Sequence, residues 1–367
     1  MRGKDSNLNV FRGCLLGGAV GDALGASVEF MKRAEILQKF GPEGITNYAP
    51  AYGGLGTITD DTQMTLFTAE GLLRAWVRRC RKGVTTYTGV TAGAYLRWLH
   101  TQGERPDKNI SFESEPSGWL IQQRPLHHRR APGKTCRSAL RAMQTLGEPA
   151  CNDSKGCGGV MRIAPVGLFA QRLDEPTRNT FLLGSKLAGL THGHPTGKLS
   201  SGVQAVLIQE LAGGTSLHEA LATSKAILRT EPDHEETLRA IERAEELGDS
   251  GLPHAQAIAR LGGGWIAEEA LAIAIYCVRV ARDFRHGVIL AVNHDGDSDS
   301  TGSIAGNLLG AMYGMDAIPD EWLVSLELRD VITEVADDLH DFASWQISEY
   351  GGDEEQVHRI WEKYPGF

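Results

Sequence analysis

Glycine recurs every fourth residue in two distant places, at Gly13, Gly17, Gly21 and Gly25 and again at Gly302, Gly306, Gly310 and Gly314. A four-residue step is close to one α-helical turn, so each set lines one face of a helix. The intervening residues are apolar helix formers, with Leu15, Leu16 and Leu24 in the first run and Ile304, Leu308 and Leu309 in the second. Each interior glycine costs about 1 kcal/mol against alanine, so four in one helix forfeit about 4 kcal/mol. Close approach of two helices is the compensation that fits. The pattern predicts that the two glycine helices meet at the centre of one domain, which would make the residues at their ends neighbours.

The rest of the chain also reads as helix. Period-two alternation is almost absent, while helical spacing recurs from end to end. Residues 265–281 are apolar nearly all round, as in a central buried helix, and 215–230 and 234–247 are amphipathic. Ile332, Val335, Leu339 and Phe342 fall on one helical face near the C-terminus. Turns are expected at Gly53-Gly54, Pro132-Gly133, Gly156 to Gly159 and Gly262 to Gly264. Residues 101–118, polar and containing proline, read as a surface loop, and 1–10 as a polar, flexible extension ahead of a domain spanning 11–367.

With 41% hydrophobic residues the chain can build a real core. Its net charge of -9 and lack of a basic block argue against nucleic acid as the main partner. The six cysteines include no C-x-x-C pair, so zinc-site spacing is missing and reduced thiols are expected. The start lacks a signal-peptide pattern, and a cytoplasmic location is the expectation. Residues 14–28 look superficially like a membrane span, but they are too short and contain Asp22, with Glu29 immediately after.

Two acidic clusters stand at helix starts. Thr59-Asp60-Asp61-Thr62 precedes the helical run from Gln63, and Asp295-Gly296-Asp297-Ser298-Asp299-Ser300-Thr301 precedes the second glycine helix. Either cluster alone could be N-capping, which needs one acidic residue per helix. If they converge, two carboxylates about 4 Å apart repel by about 4 kcal/mol at an effective dielectric of 20. Divalent cations relieve that repulsion. An all-oxygen set, with Asp60, Asp61, Asp297 and Asp299 balancing two ions, suits Mg²⁺ or Mn²⁺ rather than zinc. EF-hand spacing is not completed after Asp299.

Other features are less specific. The loop Ser154-Lys155-Gly156-Cys157-Gly158-Gly159-Val160-Met161-Arg162 could wrap backbone N–H groups around a phosphate or could be a tight turn, and it is not a Walker A loop. His192, in Thr-His-Gly-His, reads as a hydrogen-bonded buried histidine before it reads as a metal ligand. Glu29, just past the first glycine helix, is a candidate acid or base. His127, His128, Arg129 and Arg130 form a basic patch, either solvated or a rim for an anion.

The segments FRGCLLGGAVGDALGASVEF (11–30), GTITDDTQMTLFTAEGLL (56–73), GCGGVMRIAPVGLF (156–169), LTHGHPTG (190–197) and GWIAEEALAIAIY to HDGDSDSTGSIAGNLLGAMYG (264–314) together resemble the ADP-ribosylglycohydrolase family. T-D-D-T and D-S-D-S are its specific elements. The resemblance implies an all-α, single-domain orthogonal helix bundle with a central binuclear Mg²⁺ or Mn²⁺ site. It implies Thr59, Asp60, Asp61, Asp297, Asp299 and Ser300 as metal ligands, with Ser300 where many relatives have threonine. Glu29, Asp60 and Asp61 would be catalytic. Ser154, Gly156, Gly158, Gly159, Met161 and His192 would contact the substrate, and Lys155 stands where some relatives carry an aromatic residue.

The implied reaction is hydrolysis of the bond between ribose C1 and a protein side chain, arginine first, through an oxocarbenium-like transition state. An ADP-ribosylated protein is then the partner. Two other functions fit the resemblance: an antidote that grips a cognate ADP-ribosyltransferase through residues 1–10 or 101–135, and a hydrolase of free ADP-ribosyl compounds.

Overall fold

The computed structural model describes residues 4–108, 110, 116–350 and 352–366. The glycine helices are Lys4–Gly25 and Ser298–Tyr313, and they lie antiparallel. Gly13 faces Gly310 and Gly314, Gly17 faces Gly306, Gly21 faces Gly302, and Gly25 faces Ser298 and Asp299. A Cβ placed on Gly21 would lie 2.0 Å from the carbonyl oxygen of Gly302, so no side chain fits between the backbones. Asn307 adds a polar lock, donating from Nδ2 to the carbonyl of Cys14 at 2.8 Å. The flanks of the seam are buried leucine, isoleucine and valine, including Leu16, Val20, Leu24, Ile304 and Leu308, which offsets the helix-propensity cost of the glycines.

The first helix corrects the expectation of a flexible extension over 1–10. It begins at Lys4, Val10 is buried, and Asn9 bonds both Asp316 and the amide of Met315. Polar residues there read as an extension because their partners lie some 300 positions away in sequence. Residues 1–3 lie outside the described residues.

Helices are packed around this pair. Asp60–Lys82 is buried along most of its length, and Ala267–Val280 is the expected central helix. Leu217–Leu228, opened by a Ser216/Glu219 capping box, and Glu235–Gly248 are the two amphipathic helices. Ile332, Val335, Leu339 and Phe342 all point into the core, which forms one contiguous cluster from Val10 to Tyr364. Among the described residues the fold is all-helical, with isolated bridges only, at Ala51–Gly54 and Gly156–Ile266. No helix among them is long and apolar enough to cross a membrane. In the 101–135 segment, named above as a partner contact, positions 109 and 111–115 lie outside the described residues. Glu104 in it pairs with Arg129 and Arg137.

Candidate active site

The first acidic cluster is pinned from three sides. Gly53 and Gly56, both at positive φ, turn the chain, and Ile58 is held through its amide by Glu327 and through its carbonyl by Arg130. Asp22 then accepts from the amides of Thr59 and Thr62 and from the Thr62 hydroxyl. Asp22 thus caps the Asp60 helix from another helix, leaving Asp60 and Asp61 spare for the cleft. Burial and the neighbouring Asp299 raise its pKa to about 7. In the sequence Asp22 speaks only against a membrane span. A lone acid within a glycine-rich apolar run was the signal that it carried more.

Arg130 corrects a second expectation. It is buried, paired with Glu327, and forms part of the scaffold under Ile58 rather than a rim for an anion.

The second cluster divides by direction. Asp295 accepts from the amide of Arg33 at 2.5 Å, tying down the segment after the first glycine helix. Asp297 is fixed through its amide to Gly263 at 2.8 Å, and Asp299 opens the second glycine helix. Because Gly25 packs on Ser298 and Asp299, the segment leaving the first helix delivers Glu29 to the same point. Glu29, Asp297 and Asp299 each offer a carboxylate oxygen, all within 4.8 Å of one another. Asp60, Asp61 and Ser300 line the same cleft of about 310 Å³. Thr59 sits behind, its hydroxyl shared between the amide of Asp61 and the carboxylate of Asp299.

This floor is electrostatically unsatisfied. Asp61 is pushed well above the ordinary carboxylate range by burial first, then by Asp299, Asp22, Asp60 and Asp297. Burial, then Asp299 and Asp297, lifts Glu29 to about 11. No cation figures among these causes. Asp61 Oδ1 and Glu29 Oε2 are buried without a hydrogen-bond partner, which is costly for charged oxygens in the absence of a ligand. Asp60 is better served, since its Oδ2 accepts from the amide of Gly133 at 3.0 Å.

The glycine-rich loop forms one wall. Gly156, Cys157, Gly158 and Met161 line the cleft together with His192. Ser154 and Gly159 stand behind it. The Ser154 hydroxyl lies 3.1 Å from that of Thr135, and Gly159 packs on Ala188 and Ser201. His192 has its Nδ1 2.8 Å from the Thr191 hydroxyl, which accepts from Arg162 at 2.7 Å, while its Nε2 faces Gly156 and Gly158. Burial and then Arg162 lower its pKa to about 3, so the ring is neutral at pH 7. His194 is a helix cap, accepting from the amide of Thr196. Lys155 turns away to pair with Glu236 and Glu268 at 2.5 Å each.

Residues not anticipated also reach the cleft. Cys157 donates its thiol to Asp297 Oδ2 at 2.8 Å, adding one sulfur to an otherwise oxygen-rich set. Gly133, Lys134 and Cys136 form a further wall, where the sequence signalled only a Pro-Gly turn. Phe30 and Trp265 stand at the mouth.

A sequence profile for ADP-ribosylglycohydrolases matches residues 4–347. The chain belongs to the ADP-ribosylglycohydrolase family. It is 28% identical over 325 residues to the ADP-ribosyl-[dinitrogen reductase] glycohydrolase of Rhodospirillum rubrum, covering 86% of this chain and 90% of that one. The ADP-ribosylarginine hydrolase Tri1 of Pseudomonas putida (strain GB-1) is 26% identical over 340 residues, 90% of this chain and 78% of Tri1. Homo sapiens ADP-ribosylhydrolase ARH3 is 24% identical over 379 residues, 92% and 94% of the two chains. A solved structure described as an ADP-ribosylglycohydrolase-related protein complex superposes with a TM-score of 0.68 at 28% identity, covering 92% of this chain and 99% of that one.

In this chain the floor fits hard divalent cations. Apart from the Cys157 thiol its donors are carboxylates and hydroxyls, two buried carboxylate oxygens are orphaned, and burial followed by mutual repulsion raises the carboxyl pKa values.

Proposed function

We propose that this chain is a divalent-metal-dependent hydrolase that removes ADP-ribose from modified protein side chains, arginine first. One observation carries the reading: Glu29, Asp60, Asp61, Asp297 and Asp299 share one cleft, and orphaned carboxylate oxygens sit in its floor. The names of the relatives from Rhodospirillum rubrum and Pseudomonas putida support the substrate class.

Asp60, Asp61, Asp297 and Asp299, with the hydroxyls of Thr59 and Ser300, would hold two Mg²⁺ or Mn²⁺ ions. Bound there, the cations would polarise oxygen atoms and lower the pKa of water. The protein's own groups do the rest. Gly156 and Gly158, without Cβ atoms, let the backbone approach a diphosphate, and neutral His192 presents Nε2 beside them. Asp60 and Asp61 position the attacking water, with Gly133 fixing Asp60 and the open Oδ1 of Asp61 free to accept. As the C1–N bond breaks, positive charge grows on the ribose and the water held by Asp60 and Asp61 attacks C1. Glu29, lining the same cleft within 4.8 Å of Asp297 and Asp299, is placed to move a proton at the leaving nitrogen or to orient the ribose diol.

The test is release of ADP-ribose from arginine-modified and serine-modified proteins, with Mg²⁺, with Mn²⁺ and with excess chelator. Turnover of the arginine conjugate with divalent ions, and none in chelator, is expected. Full turnover in chelator would remove the metal mechanism, and inertness towards every conjugate would remove the activity.

A further inference from the structure

Phe30 is 74% exposed and Trp265 is 46% exposed, yet the two rings stack on each other at the cleft mouth, with centroids 6.0 Å apart and planes 21° apart. Leaving two large aromatic side chains in water forgoes the burial that other large side chains of this core achieve. Each ring is carried by a segment that borders the acidic floor. Phe30 follows Glu29, and Trp265 follows Gly264, where an added Cβ would lie 3.4 Å from Cβ of Asp297. A third aromatic residue, Tyr52, is 43% exposed in the left-handed region at φ 50. Burial first, then Glu29 and Asp299, push its phenol pKa up, in keeping with a place near the same carboxylates.

We infer that Phe30 and Trp265 form the seat for the guanidinium of the modified arginine, and so set the linkage that the enzyme prefers. The inference rests on the ADP-ribosyl hydrolase reading above. The order of bonds in the substrate supports it. Protein side chain, ribose, diphosphate, second ribose and adenine follow one another, and the carboxylates must meet the first ribose. A group seated one residue from Glu29 and beside Asp297 therefore meets the side chain on C1, while adenine lies beyond the diphosphate. Charge supports it as well. A guanidinium is planar and cationic, stacks on aromatic faces and favours nearby carboxylates, whereas Lys134, a lysine lining this cleft, follows Gly133, whose amide bonds Asp60. A serine linkage offers no planar cation to such a seat.

The experiment uses the full chain with Mg²⁺ or Mn²⁺ and compares wild type with Trp265→Ala, Phe30→Ala and Trp265→Phe. Substrates are arginine-linked and serine-linked ADP-ribosyl peptides, and free ADP-ribose is titrated in parallel by calorimetry. Either alanine variant should raise KM for the arginine conjugate about ten-fold with kcat little changed, as expected for loss of a stacking contact made equally in ground and transition states. Free ADP-ribose affinity and KM for any serine conjugate turned over should stay within about two-fold, and Trp265→Phe should keep most of the wild-type KM. An unchanged KM for the arginine conjugate overturns the seat while leaving the hydrolase reading intact. A parallel loss of ADP-ribose affinity overturns it too, because the pair would then hold the nucleotide. A wild-type chain inert on all conjugates sinks the hydrolase reading and the seat with it.

Discussion

Between Gly13 and Gly302 the two glycine helices touch backbone to backbone among apolar neighbours, whereas just past Gly25 and Ser298 the same contact gathers Glu29, Asp297 and Asp299 within 4.8 Å. Along the seam the facing residues are glycines, with Asn307 set among them as a neutral polar side chain. The floor differs, since burial first and neighbouring carboxylates second raise the pKa values of Asp61 and Glu29, and one oxygen of each lacks a partner. One geometric device serves both ends. Removing side chains from the interface lets the backbones approach, and the approach then forces acids at the helix ends into one small volume. The seam is neutral packing, and the chemistry lies where the fold leaves charge unbalanced.

That contrast can be broken most violently at the seam. Gly306→Val would place a Cβ 2.0 Å from the carbonyl oxygen of Gly17, a clash with backbone that cannot relax by rotamer change. We expect a loss above about 4 kcal/mol, read as insoluble expression or a fall in Tm of about 10 °C. Gly213→Ala, where an added Cβ meets nothing within 4 Å, is the control and should be neutral or slightly stabilising.

At the floor the same comparison predicts the opposite pairing of effects. Asp60→Asn and Asp299→Asn should cut turnover by about a thousand-fold or more, because a charged metal ligand is lost in each. The Tm of the chelated protein should hold or rise, since each change deletes a buried, repelled charge. A collapse in Tm comparable to that of Gly306→Val would show that floor and seam do not differ in kind.

The mildest effect is in pH dependence. The folded chain holds the Asp22 proton to about pH 7, whereas the unfolded chain releases it near the ordinary carboxylate value of 3.8. The folded state therefore binds more protons in that window, and its stability is full at low pH and lost as pH rises through about 7. Thermal melts of the chelated chain should show a lower Tm at about pH 8 than at about pH 5, with Mg²⁺ restoring more at the higher pH. A chelated chain more stable at the higher pH would contradict the repulsive floor.

Much of this was open to reading along the chain. The four-residue glycine period predicts the helix pair, and the density of Asp, Thr and Ser at two helix starts exceeds what capping needs. Other roles were hidden because they depend on partners far off in sequence. Asp22 looks like an isolated acid until Thr59 and Thr62 are seen donating to it. Arg130 looks like surface charge until Glu327 is found beside it. Asp295 and Asp297 are two residues apart and chemically identical, yet one ties a loop and the other faces the cleft.

The sequence by itself determined the helices, their glycine faces and the supply of oxygen ligands, because periodicity and residue chemistry are local properties carried by every stretch of chain. Tertiary structure alone decided which acids face inward, which cap or brace, and which aromatic rings stay in water at the mouth. Those outcomes depend on direction and distance between segments, and only the close approach of the packed backbones sets them.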